Sequence, residues 1–442
     1  MSERVGALRA GQPVELTIEK AVYRGLGLAR HAGEVVFVRG AFDGERVNAR
    51  IVSAARGYAE AVVESTLVAS PHRREAPCRH AAACGGCAYQ YLAYDEQLRL
   101  KERVLRESLA RARVVWDAPI PVTPSPETGW RMRAEMHFAA SADGLALGFH
   151  EEGSHRVVDV VECLQISPKL QKTALALRSA LASLPIEKRK LRSLELAESP
   201  DGAQRVACLH TELPVGEVSK LASLAEAAAD LTGLLISAQG PNGPLLVTAH
   251  GEPYLRAQSQ AIDYRMHQQS FFQANRFLYQ RLVKDVLARI APGDPVLDVY
   301  SGVGLFALAL AVRGDRVRGV EANPLSVDDA RANASAAGLT VEFEIADADR
   351  ALAAMPKRRG ERVVLDPPRT GMSRVGLRAL VERRPATITY VSCDPPTLGR
   401  DLARLLEAGY RLRSLEALDM FPDTFHLESV AHLDREAVTP AV

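Results

Sequence analysis

The sequence predicts an α/β multidomain chain with a small N-terminal β-barrel, an α+β central domain holding a cysteine cluster, and a C-terminal doubly wound parallel sheet. Three observations carry this expectation. Residues 12 to 66 break into short alternating runs with glycine at the corners, the pattern of a small closed barrel. Three cysteines then crowd into "CRHAAACGGC". From Phe271 onward helical and strand-like stretches alternate regularly, which argues for a parallel sheet covered on both faces. At 442 residues the chain exceeds one ordinary core, and the boundaries are set at 1–68, 69–264 and 265–442.

In the barrel the runs are "PVELTIEKAV", "GLGLARHAGEVVFVRGAF", "DGERVNARIVSA" and "GYAEAVVEST"; "VASPHRREAP" reads as a linker. A long helix from about Tyr94 to Arg113 follows the cysteines and is expected to pack on the catalytic domain. Between Trp130 and Tyr264 strands return, with an Asp143-Gly144 turn in "RMRAEMHFAASADGLALGFH" and helices at Lys169–Leu184 and Val215–Ala229. In the last domain a helix runs to Ile290, and "PVLDVY", "RVRGVEAN", "VEFEIAD", "ERVVLDPPR" and "ITYVSC" are successive strands alternating with helices. A sixth strand in "FPDTFHLESVAHL" carries His426 and Glu428.

Composition is that of a soluble protein, 47% hydrophobic and 25% charged with a net charge of +1. No apolar run reaches the roughly 20 residues of a membrane span, and "MSERVGALRAGQ" lacks the apolar stretch of a signal peptide. A cytoplasmic monomer with no membrane association is expected. Near-neutral charge neither supports nor excludes nucleic acid, since a basic face can be offset elsewhere.

Ligand chemistry concentrates at the strand ends of the last domain. "DVYSGVG" puts Asp298, Gly302 and Gly304 in a turn before a helix, where the backbone can approach an anionic group. The third glycine of the dinucleotide fingerprint is missing. Glu321, Asp347 and Asp366 end later strands. One such acid is commonly a helix N-cap, whereas several in succession fit a ligand lying across the sheet's switch point.

Cys393, in "VSCDPPTLGRDL", falls at a strand's carboxyl end, where open α/β sheets do chemistry. A thiol there can act as a nucleophile once it is ionised. A reaction through it would also need a general base, for which the residues offer Glu428 or His426. A thiol can equally be buried packing, the reading given to Cys208. Cys78, Cys84 and Cys87, with Cys163 as a fourth, are thiolates suited to zinc or to an iron-sulfur cluster; disulfides do not fit a cytoplasmic chain.

From Gln268 to the C-terminus the chain resembles class I (Rossmann-like) S-adenosylmethionine-dependent methyltransferases. Through "FFQAN", "DVYSGVG", "VEAN", "LDPPR", "VSCDPPTLGRDL" and "HLESV" it resembles the RNA uracil-C5 methyltransferase family along nearly its full length. The resemblance implies Cys393 as nucleophile and Glu428 as base. It implies that Gln273, Tyr300, Gly302, Glu321, Asp347 and Asp366 hold S-adenosyl-L-methionine, with Glu321 on the ribose, Asp347 near the adenine and Asp366 near the methionine end. It implies a [4Fe-4S] cluster on Cys78, Cys84, Cys87 and Cys163, zinc being the alternative.

The N-terminal barrel resembles a TRAM domain, an RNA-binding module of oligonucleotide-barrel type. This architecture favours 23S rRNA over the tRNA T-loop uridine as substrate; a non-catalytic RNA-binding protein with a degenerate fold is the alternative of a different class. Two departures stand out. Ser301 replaces a frequent Cys, and Asp394 replaces a frequent Asn. A carboxylate beside Cys393 would raise the thiol's pKa, so a helix N-terminus or a cation is expected to compensate.

Overall fold

The computed structural model describes residues 8–435 apart from 143, 222, 229 and 294. Asp143 of the expected turn and Ala229 at the end of an expected helix therefore lie outside the described residues. Five strands close into the N-terminal barrel in the order Pro13–Val22, Leu26–His31, Glu34–Arg39, Tyr58–Val68 and Arg46–Ala55. Alternation drives it: in the first strand Val14, Leu16 and Ile18 point inward and their neighbours outward, joining Val36, Val38, Val47 and Ile51 in one core. The stretch read as a linker is pinned to this barrel. Arg73 reaches back to the fully buried Glu45, with Nε to Oε1 at 2.5 Å and Nη2 to Oε2 at 2.8 Å, a bidentate charge-assisted pair.

The centre is a seven-stranded sheet ordered Gly243–Gly251, Gly233–Gly240, Arg205–Pro214, Leu191–Glu198, Arg133–Ser141, Gly144–His150 and Val157–Asp159. Helix Pro168–Ser183 packs on it, capped by Ser167, whose Oγ accepts the Leu170 N–H at 3.0 Å. The helix expected from Val215 is instead a 3-10 turn, Val215–Leu221, followed by the short helix Leu224–Ala227. Gly216, which weakens a helical turn, and Ser223 at a second helix start divide that stretch.

The last sheet has eight strands, ordered Glu342–Ile345, Arg316–Glu321, Pro295–Val299, Arg362–Leu365, Thr387–Ser392, Glu428–Arg435, Tyr410–Leu418 and Val122–Thr123. The first five are parallel. The expected all-parallel sheet is corrected at its far edge, where Glu428–Arg435 runs antiparallel to both neighbours. Strand Tyr410–Leu418 adds to the expected strands, with Tyr410, Leu415, Ala417 and Leu418 buried among exposed or half-buried Arg, Ser and Glu. The opening helix is shorter than expected, Tyr279–Ala288, and His426 lies in the loop before the last strand.

Helix Tyr94–Arg111 packs on this sheet's helices. Its Leu105 and Leu109 share a core with Leu398, Leu402 and Leu405 of helix Pro395–Glu407. The approach is close: a Cβ on Gly399 would lie 2.9 Å from the Ser108 carbonyl oxygen. Lys101 on the same helix is buried, its Nζ 2.5 Å from Asp419 Oδ1 and 3.0 Å from the Phe421 carbonyl. Among the described residues no helix is long and apolar enough to cross a membrane.

Candidate active site

Strand Pro295–Val299 ends in Tyr300, held at φ 67°, a left-handed conformation that non-glycine residues rarely adopt and that recurs at ligand sites. Gly302 and Gly304 follow at φ 53° and 86°, turning the chain into helix Leu305–Val312. Glu321 braces the turn: Oε2 accepts the Gly302 N–H at 3.0 Å and Oε1 the Asn323 N–H at 2.8 Å. Gln273, Tyr300, Gly302 and Asp366 line one pocket with Phe271 and Phe306. An apolar wall, an open glycine turn and the Asp366 carboxylate at a strand end suit an adenosyl ligand with a charged tail.

Glu321 and Asp347 do not line that pocket; both stand near enough to Tyr300 for their charges to raise its hydroxyl. Asp347 caps helix Ala348–Ala354, accepting from the Asp349 and Arg350 amides, so it fills the capping role common to strand-end acids. Asn275, from "FFQAN", is fully buried and donates to Ser125 Oγ at 2.9 Å and the Met420 carbonyl at 3.1 Å. It holds loops together and does not line the pocket of Gln273 and Asp366.

The nucleophile and base candidates meet through strand register. Ser392 pairs with Ser429, so one further step sets Cys393 opposite Glu428. Leu365 pairs with Tyr390, which brings Asp366 to the same edge. Gln273 Nε2 donates to Asp366 Oδ2 at 3.1 Å, while burial pushes the Asp366 carboxyl up to about 7. Glu428 is 3% exposed and its Oε1 has no hydrogen-bond partner. Burial, reinforced by Asp366 and opposed by Arg369, holds its carboxyl well above the usual range. High proton affinity is what a base acting on carbon requires. His426 is the poorer candidate, because burial and the cations Arg369, Lys101 and Arg131 depress it to about 3.

Cys393 is half-buried and pushed up to about 12, first by burial and then by Glu428, with Asp366 and Asp394 adding and Arg369 opposing. The expected helix N-terminus offers it little. Pro395 and Pro396 carry no N–H, and the Thr397 N–H is taken by Asp394 Oδ1 at 2.9 Å. The compensating cation is Arg369, exposed at the end of "LDPPR". It stood inside a motif already quoted yet had no assigned role, because its effect is exerted through space.

The loop leading to Glu428 is tied down from the other domains by Asp423, a buried residue at φ 63°. Asp423 accepts from Gln97 at 2.9 Å, Gln165 at 3.0 Å, Gln90 at 3.1 Å and Arg74 at 2.9 Å. Gln90 and Gln165 lie three residues past Cys87 and two past Cys163, so the cysteine segments and the catalytic edge share one carboxylate.

Cys78, Cys84, Cys87 and Cys163 all line a second cavity with Arg131, and each is unpaired. Burial raises the Cys84, Cys87 and Cys163 thiols, and the neighbouring cysteines raise them further. Such thiols become ligands when a cation displaces their protons. Among the described residues no three His, Cys, Asp or Glu side chains stand ready to hold a metal ion as they are. The four are thus gathered around a common cavity without being drawn to ligand distance. Cys208, fully buried, is core as expected.

Comparison with known proteins places this geometry among relatives. A family model described as tRNA (Uracil-5-)-methyltransferase matches residues 93–436, and a TRAM domain model matches residues 8–63. An uncharacterized RNA methyltransferase of Aquifex aeolicus is 34% identical over 96% of this chain and 99% of its own. A 23S rRNA (uracil(1939)-C(5))-methyltransferase, RlmD, of Pseudomonas aeruginosa is 36% identical over 96% and 95%. The crystal structure of the Pyrococcus abyssi tRNA (uracil-54, C5)-methyltransferase in complex with S-adenosyl-L-homocysteine superposes with a TM-score of 0.76. It is 27% identical, covering 95% of this chain and 100% of that one.

Proposed function

The chain belongs to the RNA uracil-C5 methyltransferase family, as an S-adenosylmethionine-dependent enzyme with a TRAM barrel, and from that premise we propose that it methylates C5 of a uridine in 23S rRNA through a covalent adduct on Cys393. The observation that carries the proposal is the convergence of Cys393, Glu428 and Asp366 at one sheet edge, beside a pocket that suits an adenosyl ligand.

In this reading the Cys393 thiolate adds to C6 of the uracil, and the electron pair of the C5=C6 bond makes C5 nucleophilic. Gln273, Tyr300, Gly302, Glu321 and Asp366 would hold S-adenosylmethionine, with Asp347 near the adenine, and when bound it would supply an electrophilic methyl group to C5. Once C5 carries the methyl group and the S–CH3 bond has broken to leave S-adenosylhomocysteine, Glu428 takes the C5 proton, the C5=C6 bond re-forms and the Cys393 sulfur leaves, which yields 5-methyluridine and the free enzyme. Arg369 favours the thiolate. A stacked base hides C5 and C6, so the target uridine must be unstacked or flipped out.

Relatives named as 23S rRNA enzymes, similar over nearly the whole chain, favour that substrate; the tRNA reading rests on the description of the matching family model and on the solved structure at lower identity. Mapping 5-methyluridine in rRNA and tRNA from a deletion strain decides between them. Loss confined to 23S rRNA is the expected result; loss confined to tRNA would overturn it.

The cysteine cavity supports a structural [4Fe-4S] centre, with zinc as the second reading. The donor set is four thiols, and Arg131, whose Nε is buried without a partner, would face the net negative charge of a four-thiolate site. Iron, zinc and acid-labile sulfide measured on anaerobically purified protein test this. Zinc without sulfide would refute the cluster.

A further inference from the structure

One side chain of the barrel reaches both catalytic loops. Tyr23 lies in the turn Tyr23–Gly25, between the first two barrel strands, where Arg24 and Gly25 take φ 71° and 74°. That corner is pressed onto the segment following Cys87: a Cβ on Gly25 would come within 2.6 Å of the Ala88 Cβ. From it the Tyr23 hydroxyl donates to Asp394 Oδ2, across 371 positions of sequence. The ring meets Phe425 edge-on, with centroids 5.7 Å apart, and Phe425 in turn packs on His426 at 4.1 Å. Tyr23 therefore touches the residue after Cys393 and a residue three before Glu428.

We propose that Tyr23 is a positioning residue for the transferase reaction: bonded to Asp394 and packed on Phe425, it fixes the nucleophile loop against the base loop and keeps the Asp394 charge occupied beside Cys393. The barrel is then part of the catalytic assembly as well as a grip on RNA. This inference rests on the role proposed for Cys393.

The charges around the two residues give it a direction. Cys393 is faced by Glu428, Asp366, Asp394 and Arg369, and only Arg369 favours the thiolate. Asp394 is faced by Tyr23, Cys393, Arg400 and His426, and Arg369 acts on Tyr23, Cys393 and His426 around it. Burial and the bond to Asp394 keep the Tyr23 hydroxyl protonated well beyond neutral pH, so it remains a donor. Without that donor one Asp394 oxygen has no partner, and its charge opposes the thiolate more strongly. An Asn at 394 would keep the shape and remove the charge.

The test uses the full chain and its Y23F, D394N and Y23F/D394N variants. The single-turnover rate of adduct formation on 5-fluorouridine RNA is followed from pH 6 to 10. RNA affinity is measured separately by filter binding. Y23F should slow adduct formation roughly tenfold or more, the scale of one hydrogen bond to a charged group. It should also move the pH midpoint upward and leave RNA affinity unchanged. In the D394N background the same substitution should have little effect on rate or midpoint.

A Y23F profile superimposable on wild type would overturn the proposal, as would an equal loss in both backgrounds, which would mean that Tyr23 does not act through Asp394. Absence of any adduct in the wild type would instead overturn the nucleophile itself. Should Y23F lower thermal stability enough to confound rates, the pH dependence of Cys393 alkylation in folded protein, read by peptide mass spectrometry, decides the same point: an unshifted midpoint refutes the inference.

Discussion

Replacing Glu428 by glutamine should convert a catalyst into a trap. The side chain is buried, with one oxygen unpartnered, so an isosteric amide fits the same space without removing a structural hydrogen bond at that atom. What disappears is a proton acceptor, and a positioned base is typically worth about 10² to 10⁴ in rate. Proton removal and release of the sulfur should slow by that factor. Addition should not, because Glu428 is the leading charge that raises the Cys393 thiol; without it the thiolate forms at lower pH. Nearly every chain should then carry RNA, visible as a retarded band on a denaturing gel after one turnover with labelled transcript. The pH rise of adduct formation should begin earlier in E428Q than in wild type. Turnover within tenfold of wild type, or no denaturant-stable adduct, would refute the assignment of Glu428 as base.

Further outcomes follow from the packing and the charges. Lys101→Met leaves Asp419 buried without its cation and should destabilise the protein by about 3 to 5 kcal/mol, measured by denaturant unfolding, while K101M/D419L should recover most of the loss. Leu105→Ala should cost about 2 to 5 kcal/mol through a cavity in the core shared with Leu398 and Leu402; a neutral effect would refute the docking of helix Tyr94–Arg111 there. If the cysteine cavity holds the proposed [4Fe-4S] centre, Cys78→Ala should abolish the visible absorbance and the iron content of anaerobically purified protein, and iron retained by the variant would refute that role for Cys78. Gln273→Ala removes the hydrogen bond that lowers the Asp366 carboxyl, so Asp366 should stay protonated to higher pH. If activity needs its ionised form, the acid limb of the pH–rate profile moves upward; an unchanged limb would refute that need.

The barrel and the parallel strands were legible because glycine corners, period-2 alternation and strand-ending acids are local signals. Tyr410–Leu418 was not, since five of its nine residues are Arg, Ser, Glu or Tyr and its inward face is recognisable only once Glu428–Arg435 lies beside it. Cys393 and Glu428 could be singled out from their motifs, but their opposition is a property of antiparallel register. The roles of Arg369, Tyr23 and Asp423 left no trace in spacing. Each acts across a distance that the chain closes only on folding, and none belongs to a repeating pattern.

The edge strand Val122–Thr123 and the helix before it precede most of the sheet they complete. Synthesis releases Leu105 and Leu109 nearly three hundred residues ahead of Leu398, and the amine of Lys101 comes 318 positions ahead of Asp419. During that interval the helix can rest only on the barrel side, through Leu100 and Val104 against Ala21, Phe42 and Tyr89, and the central sheet is inserted into a unit that has begun without being able to close. The catalytic layer therefore cannot be cut out as a C-terminal piece: a fragment starting at residue 265 would expose the seat of that helix, one flank of Gly399 and an unpaired Ala417–Leu418 edge. The reaction centre is complete only when the strand that begins with Glu428, the last among the described residues, lies beside Thr387–Ser392.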